Sequence, residues 1–159
     1  MNYYQGDLDY LALCYAVQNR KTAEQIARLL QEQRVRVWSS DMGCNLKQDA
    51  DAARFQKCRA AVILISAQWA ADTLCRIQLQ AAAALELDTV LVFLDETDLS
   101  KDEQLSALLR RSVRMTDYSA KEKNAFVEAF MPLLCVRDCL MAENEEPEKK
   151  KSGLFGLFK

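Results

Sequence analysis

The sequence predicts an α/β domain: a five-stranded parallel sheet with helices on both faces. Strand-like and helix-like apolar patterns alternate along the chain, the segments 61–65 and 89–94 are apolar on both pleat faces, and no two strands are joined by a hairpin-length loop. A strand apolar on both faces has to be covered on both faces. Strands without hairpins need crossover connections, which make the sheet parallel. Right-handed crossovers leave few arrangements for five strands, and the flavodoxin-like order 2-1-3-4-5 is the common one.

Residues 10–15, YLALCY, read as the first buried strand. Thr22 and Gln25 form a capping-box pattern, and Ala23, Ile26, Ala27 and Leu30 follow as one apolar helical stripe. The alternation VRVW at 35–38 is a short second strand, 39–47 a loop, and 48–59 a weaker helix with Asp49 and Asp51 in its first turn. After the third strand at 61–65, 66–71 reads as a loop. Asp72 then caps an alanine-rich helix expected to reach Leu87. The fourth strand is 89–94. Ser100 with Glu103, and Ser119 with Glu122, repeat the capping-box pattern on either side of a short last strand at 113–115. Pro132 is expected to kink the final helix, which carries Phe126, Phe130 and Leu133. From Ala142 the composition turns to Glu, Pro and Lys, so the chain divides into a domain at 1–141 and a charged flexible tail at 142–159.

At 159 residues the chain is one domain with a full core. Its formal net charge of −2 gives no reason to expect a nucleic-acid partner. The absence of histidine removes the commonest general base and metal ligand. The six cysteines have no CxxC pair. Cys135 and Cys139 stand one helical turn apart, and buried reduced thiols are a better reading of the set than zinc. The first ten residues carry neither a basic nor an apolar leader region, and no apolar run has transmembrane length. A reducing, cytoplasmic compartment is the expectation.

In an open parallel sheet a ligand sits beyond the carboxyl ends of the strands where the order reverses. Here that crevice lies between the first and third strands, walled by 16–20 and 66–72 with 39–41 nearby. The loop AVQNRKT has no glycine and cannot cradle a phosphate in the dinucleotide or P-loop manner. A phospho-acceptor site needs an Asp at the end of the third strand, where Ser66 stands.

The segment 11–38, with Tyr15 closing a strand ahead of an amphipathic helix and VRVW, resembles Toll/interleukin-1 receptor (TIR) domains. So does AAVILISAQWAADTLCRIQL at 60–79, where Ser66, Trp69 and Cys75 fall on the family's Ser, aromatic and Cys. The likeness is to stand-alone bacterial-type members and spans roughly 9–140. It departs at Leu74, where the family has Trp, at Gln78, where it has its NAD-cleaving glutamate, and in a loop after Trp38 that lacks Pro-Gly. The resemblance implies a signalling module that self-associates or binds other TIR domains without hydrolysing NAD. The alternatives are an NAD glycohydrolase or nucleotide cyclase, or a sensor that binds a nucleotide without cleaving it.

It also implies which residues to watch. Tyr15, Arg20, Trp38, Ser66 and Trp69 are the candidate nucleotide contacts, and Asp41 and Asp72 the fallback carboxylates should Gln78 have no catalytic part. No resident cofactor is expected; NAD or a related nucleotide is the candidate ligand. Each residue also has a plainer reading. Trp38 can anchor the core edge, Trp69 can cover the sheet end, Asp72 can simply cap, Gln78 can face solvent, and Arg20 and Lys21 can be solvated surface. Leu154, Phe155, Leu157 and Phe158 lie on one side of a short terminal helix after three lysines. They suit docking to a protein groove or a membrane surface, or folding back on the domain.

Overall fold

The computed structural model describes residues 1–109 and 113–146. Five strands, β1 (Leu11–Cys14), β2 (Val37–Trp38), β3 (Ala60–Ile65), β4 (Asp88–Phe93) and β5 (Val113–Asp117), form one parallel sheet in the order β2-β1-β3-β4-β5. This is the predicted topology. Every residue of β1 and β3 is buried, as strands covered on both faces must be. β5 is an edge strand with little cover, and Met115 on it is 53% exposed.

The helices are α1 (Arg20–Glu32), α2 (Asp49–Lys57), α3 (Ala67–Ala71), α4 (Thr73–Ala84), α5 (Glu103–Leu108), α6 (Lys123–Phe130) and α7 (Leu134–Arg137). The predicted stripe of α1 is its buried face, with Ala23, Ile26, Ala27 and Leu30 fully covered. None of the helices among the described residues is long and apolar enough to cross a membrane.

All three capping boxes fail, each for a local reason. α1 runs straight on from a 3-10 turn at Val17–Asn19, which places Thr22 inside its first turn. Asp102, not Ser100, caps α5 by accepting from the Leu105 amide at 3.0 Å, while Ser100 is itself held by Asp98. An ionised carboxylate is a stronger acceptor than a hydroxyl. Ser119 accepts from the Lys121 amide, and α6 starts later, without a side-chain cap. The segment expected as a loop at 66–71 contains α3, capped by Ser66 Oγ accepting from the Trp69 amide. α4 ends at Ala84, because Glu86 turns left-handed (φ 55°) and Leu87 N–H closes back on the Ala82 carbonyl. Pro132 separates α6 from α7, a break where a kink was expected.

The chain past 141 is tied to the domain at its start. Arg34 donates to the Ala142 and Glu145 carbonyls, and Arg36 grips the Glu145 carboxylate with Nε at 2.7 Å and Nη2 at 2.8 Å. The expected boundary at 141 therefore moves beyond Glu145. The rest of the tail, with Leu154, Phe155, Leu157 and Phe158, lies outside the described residues.

Candidate functional site

The carboxyl ends of β1 and β3 bring together the segments expected to wall the crevice, and they bond to one another. Ser66 Oγ donates to Asn19 Oδ1 at 2.7 Å, joining the end of β3 to the loop after β1. The same Asn19 side chain is thereby taken from capping α1. Tyr15 OH donates to the Ser40 carbonyl at 3.0 Å, and Ser39 Oγ to the Leu13 carbonyl at 2.6 Å. Burial pushes the Tyr15 phenol above its ordinary pKa, so it stays a neutral donor.

The loop after β2 is pinned from several directions. Asp51, at the start of α2, accepts from Ser40 Oγ at 2.6 Å and from the Asn45 amide at 2.8 Å. The Tyr15 amide donates to the Gly43 carbonyl at 3.1 Å. Gly43 holds φ 68°, and a Cβ there would stand 2.2 Å from the Tyr15 carbonyl oxygen, so only glycine fits.

Gln78 closes this arrangement. It is 2% exposed, on the buried face of α4. Trp69 Nε1 donates to its Oε1 at 2.8 Å, and its Nε2 donates to the Gly43 and Cys44 carbonyls at 2.9 and 3.0 Å. The indole N–H is only a donor, which fixes the orientation of the amide. One side chain thus links α3, α4 and the loop after β2, with both ends of the amide engaged.

The other candidate contacts are covered too. Tyr15, Trp38, Ser66 and Trp69 are 2%, 3%, 1% and 0% exposed, which leaves no aromatic face open for a base to stack on. The Arg54 guanidinium lies 4.0 Å from the Tyr10 ring centroid and 5.9 Å from that of Trp38, and it donates to the Tyr4 and Gly6 carbonyls. Trp38 and Trp69 are thus both packed inside the domain. Arg20 is exposed and donates to the Asp41 carbonyl, leaving the exposed Asp41 carboxylate at the rim. Asp72 is engaged as the cap of α4, accepting from the Leu74 amide at 2.8 Å and the Cys75 amide at 3.4 Å.

All six cysteines are free and buried. Burial, then the Asp72 carboxylate, pushes the Cys75 thiol up to about 12, and burial does the same for Cys58, so neither is a thiolate at neutral pH. Cys139 Sγ donates to the Cys135 carbonyl. Among the described residues no three His, Cys, Asp or Glu side chains gather into a metal-binding group.

Residues 11–133 match the family model described as TIR domain. The chain belongs to the TIR domain family. Comparison with curated proteins finds no match. Within this TIR domain, sequence reasoning missed Asn19, Ser40, Asp51 and the Gly43 and Cys44 carbonyls. Asp51 carried a partial signal as a first-turn acid of α2. The backbone acceptors carried none.

Proposed function

We propose that this TIR domain is a cytoplasmic interaction module that self-associates through the loop after β2 and does not cleave NAD. Membership of the family supports a signalling role. The observation that carries the finer reading is the engagement of Gln78. Cleaving the nicotinamide–ribose bond develops positive, oxocarbenium-like charge, which a positioned carboxylate stabilises. The family resemblance puts that carboxylate at 78. Gln78 has no charge, no basicity and no free hydrogen-bonding atom with which to meet a substrate. A missing positioned acid or base typically costs about 100- to 10,000-fold in rate.

The same contacts make the loop a better interaction element. Gln78, Asp51 and the Tyr15 amide hold it in one shape, and Met42 at its tip is 54% exposed. A loop ordered before binding loses less entropy on binding. The experiment is to incubate wild type, Gln78→Glu and Asp41→Asn with NAD at high protein concentration and follow nicotinamide release. No release from wild type is expected. Turnover by wild type that Asp41→Asn abolishes would make the rim carboxylate catalytic and overturn the reading.

A further inference from the structure

The end of β1 and the loop after β2 also meet through two thiols. Cys14 is the last residue of β1, Cys44 stands in the loop thirty positions later, and both are fully buried. The Tyr15 amide donates to the Gly43 carbonyl at 3.1 Å, so the residues beside the two cysteines are hydrogen-bonded to each other. With ordinary backbone dimensions that bond holds the two Cα atoms roughly 4–7 Å apart. A disulfide needs about 4.4–6.8 Å. The side chains meet as well. Burial, and then a hydrogen bond with the Cys44 side chain, pushes the Cys14 thiol well above its ordinary pKa. The other thiols are turned elsewhere: Cys58 to the Ala12 backbone, Cys75 to Asp72 and Cys139 to the Cys135 carbonyl.

Cys44 is an unusual occupant of its position. Its φ of 70° is left-handed, a conformation that a residue with a Cβ adopts at a cost. The groups that hold it there are backbone atoms: its amide donor on Ser40 Oγ at 3.1 Å and its carbonyl under Gln78 Nε2 at 3.0 Å. Neither uses the thiol, and strain at such a residue points to a use for the side chain. We propose that Cys14 and Cys44 are a redox lock, in which a small disulfide of the glutathione type converts the pair to an intramolecular disulfide that fastens the loop to β1 and favours assembly. When the loop opens, Cys44 loses its proton to solvent, and its thiolate attacks one sulfur of glutathione disulfide and expels one glutathione. When the loop closes, the Cys14 sulfur attacks the mixed disulfide, expels the second glutathione and gives up its own proton. Two protein thiols are oxidised, and one glutathione disulfide is reduced to two thiols. In a reducing compartment such bridges are transient and act as sensors. The inference rests on the loop being the interaction element proposed above, since a fastened loop loses less entropy on binding.

The test equilibrates the full chain with oxidised glutathione near neutral pH, a reagent that spares the methionines. Remaining thiols are then blocked with N-ethylmaleimide in denaturant, and the chain is digested with trypsin without reduction. Trypsin leaves Cys14 in peptide 1–20 and Cys44 in peptide 37–47, each apart from every other cysteine. Mass spectrometry should find one dominant cross-link, joining those two peptides and lost on treatment with dithiothreitol. The bridged chain should melt several degrees higher, because the bridge restricts the unfolded chain, and neither Cys14→Ala nor Cys44→Ala should show that shift. A dominant cross-link through Cys58 or Cys75, a mixed disulfide that persists on Cys44, or no cross-link at all would overturn the proposal. So would a bridge that lowers the melting temperature, since the lock has to fit the folded loop. Sedimentation velocity on the two forms separates this inference from the reading it rests on. Oxidation should lower the concentration at which assembly begins by at least about threefold, and equal assembly of both forms would overturn the lock. A reduced chain that assembles but never forms the bridge would sink the lock and leave the loop-mediated contact standing. A chain that forms the bridge yet stays monomeric in both forms would keep the bridge and remove the interaction reading.

Discussion

Gln78 donates two amide hydrogens to the Gly43 and Cys44 carbonyls, and a carboxylate in its place would present like partial charges to both. Gln78→Glu should therefore cost about 3 kcal/mol at neutral pH, since it buries a charge against two carbonyl acceptors and keeps only the Trp69 indole N–H of the present partners as a donor. The sign of the pH dependence follows. The introduced glutamate has its folded pKa raised above the unfolded value of about 4.3, so the variant is closest to wild type below that pH. It loses stability as pH rises through the folded pKa. Thermal melts from pH 4 to 8 will check it, and a variant equally stable throughout would mean that the amide contributes nothing special. Gly43→Ala acts on the same loop from the backbone side. A left-handed φ and a Cβ 2.2 Å from the Tyr15 carbonyl should cost about 2–3 kcal/mol, read as an earlier denaturation midpoint. Neither role was visible in the sequence. Besides the Trp69 indole, the partners of Gln78 are backbone carbonyls more than thirty residues away, and nothing in a side-chain pattern advertises a carbonyl.

Among elements, the strands and the Asp72 cap of α4 were legible and the capping boxes were not. β3 and β4 declare themselves because four or more consecutive apolar residues at strand length have to be covered on both faces. The capping boxes misled because the pattern does not fix where a helix starts: Thr22 lies inside α1 and α6 begins well past Ser119, while at α5 the Ser100 hydroxyl loses to nearby Asp residues. There Asp98 takes the Ser100 amide and Asp102 the Leu105 amide. The C-terminal element was misread for a related reason. Its acidic composition suggests solvation, yet Glu145 finds the largely buried Arg36 guanidinium. That hydrogen-bonded pairing lowers the Glu145 pKa, so its stabilisation is present above the ordinary glutamate range and lost as pH falls through the folded value. Glu145→Gln should lower stability by about 1–2 kcal/mol at pH 7, with the gap from wild type closing below pH 4. Denaturant titrations at the two pH values would show it, and a gap independent of pH would remove the ion pair from the account.

At the scale of the whole molecule, the topology puts two surfaces of different character at the carboxyl end of one sheet. Over β1 and β3, where the strand order reverses, the aromatic and polar side chains are spent on one another, and what remains exposed is the loop carrying Met42 and Asp41. Over β4 and β5 the sheet is left open. The sequence located the first surface through the switch point but gave no sign of the second, because an exposed edge strand such as β5 reads simply as a short, weak one. The central claim is that the pinned loop is an interaction element. Sedimentation velocity on wild type and Met42→Asp over a wide concentration range tests it most directly. The sedimentation coefficient of wild type should rise with concentration and be indifferent to NAD, and that of Met42→Asp should fall back toward the monomer value with the melting temperature unchanged. A wild-type chain that remains monomeric at millimolar concentration, with and without NAD, would contradict it.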